Sequence, residues 1–114
     1  MLEKVLLKSI DVTLGEITKD GDTFSFNRNK EIKDSWLFPY DFYHLDDNET
    51  NKEVPSSAIE CFFRNRGVPE NREGIYAVLR YYGLNTYDYW ELSKRTKSKD
   101  VDDNFYIEVL ANSK

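Results

Sequence analysis

The chain is poor in the residues that most often carry chemistry, with one cysteine, Cys61, and one histidine, His44, among 114 residues. A single cysteine excludes an internal disulfide and points to a reducing compartment. No His or Lys adjoins Cys61 to favour a thiolate, so it reads as a small core residue rather than a nucleophile. His44 has only Asp41, Asp46 and Asp47 near it in sequence, which is not the convergent, spaced ligand set of a metal site. The five glycines stand apart at positions 15, 21, 67, 74 and 83, so there is no phosphate-cradling loop. Asp100, Asp102 and Asp103 lack the glycine, the glutamate and the length of a calcium loop and read as a solvated turn. No apolar run approaches the roughly 18 residues of a membrane span, and Met1–Ser9 lacks the features of a signal peptide. The expectation is a soluble, cytoplasmic, non-enzymatic chain with no cofactor, no metal and no membrane contact.

Positive charge is also scarce, and unevenly so. Residues 1–55 hold 7 Lys/Arg against 12 Asp/Glu, whereas residues 56–114 hold 9 of each, for a formal charge of −5. That balance argues against direct nucleic-acid binding, which needs a dense set of basic phosphate contacts. It suits solubility or a basic protein partner.

What the chain has in quantity is aromatic residues, 15% of the total. A chain of this length forms one domain, here 1–114, with a core built from rings more than aliphatic chains. Lys4–Thr18 is rich in Val, Leu, Ile and Thr and reads as a strand, interrupted at Gly15 by a bulge or turn. In KDGD, Asp20 and Gly21 supply the left-handed backbone of a hairpin turn, and TFSF returns with Phe24 and Phe26 on one face. Trp36–Leu45 packs seven large apolar or aromatic side chains around Pro39, so an edge strand or extended crossing segment is expected there, followed by a solvated loop at 46–53.

The second half reads as helical. Ser57 and Glu60 have the spacing of a capping box, Ile59, Phe62 and Phe63 form an apolar stripe, and Gly67 is placed for a left-handed cap. A second helix follows from Pro69, with Glu70 and Glu73 at its positive end, Ile75, Val78, Leu79 and Tyr82 on one face, and Gly83–Leu84 closing it. A third starts after Asn85 or Thr86 and runs to about Thr96, with Tyr87, Trp90 and Leu92 inward. Asn104–Leu110 is a last strand with Phe105, Ile107 and Val109 on one face. The fold class is therefore α+β: a small antiparallel sheet of the N-terminal hairpin plus the C-terminal strand, packed with about three short helices.

Two groups stand out as sites. Arg64, Arg66 and Arg72 fall within nine residues and form either an anion site or a structural latch between helices, the latch being the commoner use of an arginine fork. Glu70, Glu73 or an acid from Asp100 to Asp103 would answer Arg72. The second group is Trp36, Phe38, Tyr40, Phe42 and Tyr43, a run too large to bury both faces. The part left outside is a partner-binding surface of hot-spot composition.

The order LGEITKDGDTFSF, PSSAIECFFRNRGVPENREGI, LRYYGLNTYDYWELSKRT and DDNFYI resembles the N-terminal subdomain of HipA-like kinases, including stand-alone HipS-like small proteins. The helical half is closest to the small Firmicute versions, through Arg66, Pro69, Arg72, Gly83, Leu84, Tyr87, Asp88, Arg95, Thr96 and Asp103. The resemblance covers most of the chain and implies a binding module that acts as antitoxin to a separate HipA-like serine/threonine kinase, with no catalysis of its own. In such relatives a tryptophan is thought to enter the kinase site, and the motifs do not choose between Trp36 and Trp90. An alternative from a different class is a phage or mobile-element inhibitor of a host defence protein, such as an anti-CRISPR, whose acidic surface mimics nucleic acid.

Overall fold

The computed structural model describes residues 2–32, 37–42, 54–100 and 103–110. The Val/Leu-rich N-terminal segment forms two strands rather than one, β1 (Leu2–Ser9) and β2 (Val12–Asp20). The break falls at Ile10 and Asp11, with Ile10 at φ 54°. A β-branched residue in the left-handed region is no turn signal, which hides this hairpin from a sequence reading. Tertiary bonds hold it instead: the Ile10 amide donates to the Asn104 carbonyl at 3.3 Å, and the Tyr106 hydroxyl donates to the Ile10 carbonyl at 2.7 Å.

Gly15 sits beside an irregularity in the same hairpin. Leu7 pairs with Gly15 but Lys8 pairs with Thr13, which leaves Leu14 as the extra, buried residue of a bulge. The glycine is required by close approach, since a Cβ there would lie 2.5 Å from Phe26 Cζ and 2.6 Å from the Asn27 carbonyl oxygen.

After Gly21 at φ 62°, strand β3 (Thr23–Arg28) returns along β2. Asp20 remains the last residue of β2, so only Gly21 takes the left-handed backbone expected of the pair. Helices α1 (Ser56–Arg66), α2 (Ile75–Tyr81) and α3 (Tyr89–Thr96) follow. Strand β4 (Phe105–Val109) then adds to β1, which completes an antiparallel sheet of order β3-β2-β1-β4. The α+β class is therefore observed.

One face of the sheet is core. Val5, Leu7, Ile17, Phe24 and Ile107 are buried against Ile59, Phe62 and Phe63 of α1 and Trp90 of α3. Rings run through this core in edge contact from Trp90 to Phe63, Phe62, Phe42, Phe26 and Phe38, with centroids 4.8 to 6.1 Å apart. Such edge-to-face pairs add stability beyond the area they bury. The opposite face carries charge pairs, Lys4 with Glu16 at 3.9 Å and Lys8 with Glu108 at 3.1 Å.

Helix ends depart from several local expectations. Ser57 and Glu60 form no capping box, because α1 opens from Pro55 with no side-chain cap. Ser56 Oγ instead accepts from the Phe24 amide at 2.8 Å, tying α1 to the outer edge of β3. Gly67 is extended at φ −87° rather than left-handed. The second helix starts at Ile75 from a left-handed Gly74, so Pro69, Glu70 and Glu73 lie in the preceding turn. Gly83 at φ 76° does end α2 as expected, with the Leu84 amide donating to the Leu79 carbonyl at 2.8 Å. Helix α3 begins later than the pattern suggested, at an Asp88 cap whose carboxylate accepts from the Trp90 and Glu91 amides at 3.0 and 3.2 Å.

Around Pro39 the described residues form a 3₁₀ turn, Tyr40–Phe42, rather than an edge strand. A proline fixes its own φ and cannot donate to a ladder. Cys61, expected in the core, is exposed on α1.

Candidate functional site

The three arginines divide. Arg66 has a side chain only 8% exposed and spends its fork on the segment between α3 and β4. Its Nε donates to the Ser98 carbonyl at 2.7 Å, its two terminal nitrogens to Asp103 at 2.7 and 2.9 Å, and one of them also to the Phe105 carbonyl at 2.9 Å. The hydrogen bonds from Arg66 hold the Asp103 carboxyl below its ordinary range, against the opposing effect of its partial burial. The fork thus joins the end of α1 to the α3–β4 connection, not to α2. Asp103, considered as a partner for Arg72, answers Arg66.

Arg64 lies on the surface, paired with Glu60 at 2.7 Å and stacked 4.0 Å from the Tyr89 ring centroid. Arg72 is exposed in the turn before α2, and among the described residues no hydrogen bond or ion pair engages its side chain. The bond that does link two helices comes from a residue not singled out, Arg95. Its Nε donates to the Tyr82 carbonyl at the end of α2 at 2.9 Å, while Glu91 holds the same guanidinium at 2.5 Å. An arginine four residues after a glutamate near a helix end was the available signal.

The aromatic group also divides. Phe38 and Phe42 are 4% and 7% exposed and belong to the core, so neither presents a ring to a partner. Trp36, Tyr43 and the Tyr40 side chain lie outside the described residues, as does His44. Trp90 is 3% exposed, packed on Phe24 and Phe63. Its indole N–H donates to Glu3 at 3.1 Å, so it too is committed internally.

Above Trp90 lies an open groove of about 510 Å³. Five carboxylates line it, from Glu3, Asp22, Glu70, Asp88 and Glu91, against two cations, Lys19 and Arg64. Three of the acids have internal work. Glu3 accepts from Trp90 and from Lys94 at 2.6 Å, Asp88 caps α3, and Glu91 pairs with Lys94 at 2.9 Å and with Arg95. Burial alone would raise Glu91, but hydrogen bonds from Arg95 and Lys94 outweigh it and the carboxyl sits below its ordinary value. Among the described residues no hydrogen bond or ion pair engages Asp22 or Glu70. Tyr87 and Tyr89 complete the lining, and burial raises the pKa of both phenols. The groove therefore presents unneutralised carboxylates beside tyrosine rings, a setting that favours a cation.

Among the described residues, no group of three or more His, Cys, Asp or Glu is disposed to hold a metal ion, and no helix is long and apolar enough to cross a membrane. Comparison with protein-family models, with curated proteins and with solved structures gives no match.

Proposed function

We propose that the chain is a non-catalytic, cytoplasmic protein-interaction module that binds and restrains a HipA-like serine/threonine kinase in the manner of an antitoxin. The observation that carries this reading is the groove, where the carboxylates of Asp22 and Glu70 flank tyrosine rings without partners of their own among the described residues. A kinase cleft is lined with cations that hold nucleotide phosphates, and an acidic, aromatic surface complements it in charge. Co-expression with a HipA-like kinase tests the reading. The expected result is a complex with reduced kinase activity, weakened by Asp22→Lys together with Glu70→Lys while the melting temperature holds. A kinase that neither co-purifies nor loses activity ends it.

The acidic excess of residues 1–55 also favours a second reading, an inhibitor that mimics nucleic acid toward a host defence protein. Displacement of DNA from a host nuclease, with no effect on the kinase, selects that alternative.

A further inference from the structure

Helix α2 reads IYAVLRY, with one charged residue in seven, in a chain that is 32% charged. Its inner side is accounted for: Ile75 and Leu79 are buried with Leu92, and Val78, Tyr82 and Leu84 pack around them. At about 100° per residue the opposite stripe runs Tyr76, Arg80, Ala77, Tyr81. All four are exposed, Tyr76 by 75% and Tyr81 by 81%. A helix facing water normally carries polar and charged residues there, as α3 does with Glu91, Lys94 and Arg95. The α2 stripe instead has the composition of an interface anchor, two tyrosines and an arginine around a small residue.

Charge decides what fits it. Arg80 lies within the stripe and Arg72 in the turn just before it, and among the described residues no hydrogen bond or ion pair engages either guanidinium. A second copy is a poor occupant. A symmetric contact of stripe on stripe gathers four arginines, and a helix about 10 Å long supplies far less than the ~800 Å² per partner of a stable pair. A short segment of another protein asks for less area and can bring the missing negative charge.

We propose that the outer stripe of α2 docks an acidic amphipathic protein segment. Its apolar side chain sits over Ala77 between Tyr76 and Tyr81, and its Asp or Glu side chains meet Arg80 and Arg72. The proposal goes beyond the kinase reading and rests on α2 alone, not on the groove.

The test uses the full chain, isotope-labelled for amide NMR, and two synthetic helical peptides with the same leucine anchors, one flanked by Glu and one by Lys. The Glu peptide is expected to shift the amide signals of 75–82, with the Lys peptide leaving them in place. Arg80→Glu weakens the Glu peptide about tenfold and admits the Lys peptide. Tyr76→Ala with Tyr81→Ala removes binding while the melting curve stays, because both rings are exposed. Equal binding of the two peptides, or shifts confined to residues away from α2, overturns the proposal. So does self-association of the free chain that disappears in the double tyrosine variant, which makes a second copy the occupant. Loss of kinase binding in the groove variants, with the Glu peptide still bound at α2, leaves this inference standing.

Discussion

Arg66 and Asp103 are 37 residues apart in the chain and meet in a two-pronged ion pair, with N···O distances of 2.7 and 2.9 Å. The same guanidinium holds two backbone carbonyls, Ser98 and Phe105, so the end of α1, the α3–β4 connection and the first residue of β4 depend on one side chain. Arg66→Ala orphans these acceptors and is expected to cost about 3 kcal/mol. Arg66→Lys recovers only part of that, since an ammonium cannot reproduce the fork. Arg72→Ala, at an exposed site, stays within about 0.5 kcal/mol of the parent. Urea denaturation of the three variants checks the ranking.

Stability should fall in acid by a route that includes this pair. Asp103 is held below its ordinary value of 3.8, so the folded state binds its proton less readily than the unfolded chain does. The resulting stabilisation is fully present above that value and is lost as pH falls through the lower folded-state pKa. Glu91, lowered from 4.5, contributes in the same direction. Asp103→Asn is therefore expected to lower stability at neutral pH and to flatten, without abolishing, the acid limb of a plot of melting temperature against pH. An acid limb unchanged in this variant removes Asp103 from the account.

Gly15→Ala places a methyl carbon against the Phe26 ring and the Asn27 carbonyl oxygen. The ring can turn aside, but the carbonyl belongs to the paired strand. The expected loss is about 1 to 3 kcal/mol. Gly15→Ala combined with Phe26→Leu tests whether the ring or the backbone dominates, because relief by the second change is expected only if the ring does.

Phe42 touches both Phe26 and Phe62 and is buried, so Phe42→Ala is expected to cost about 3 to 5 kcal/mol. A partner-facing ring would instead lower affinity and leave folding intact. Measuring melting temperature alongside partner binding separates the two outcomes.

How much of this was legible in sequence follows from which interactions are local. The α1 stripe of Ile59, Phe62 and Phe63, the Gly21 turn and the Gly83–Leu84 helix end all obey rules that span a few residues, and each was readable. The β1–β2 hairpin was not, because Ile10 adopts its turn through bonds to Asn104 and Tyr106 from the far end of the chain. The apparent capping box failed for a related reason: Glu60 takes Arg64 as its partner, and Ser56 serves β3. For the candidate site, the arginine cluster drew attention, but only the fold separates buried Arg66 from exposed Arg72. The groove joins residues from Glu3 to Glu91, and no spacing in the chain announces it.

Strand β4 forms one margin of the sheet, and its outward groups are largely taken. The Phe105 amide donates to Asp103, the Phe105 carbonyl accepts from Arg66, and the Ile107 amide donates to the Lys97 carbonyl at 2.8 Å. An extended peptide from another molecule finds no free ladder to join along that stretch, so the usual route to strand-by-strand polymerisation is blocked there. Recognition at this end of the molecule is consequently a matter of side-chain identity, and a few surface replacements can redirect the protein to a new target while its framework stays as it is.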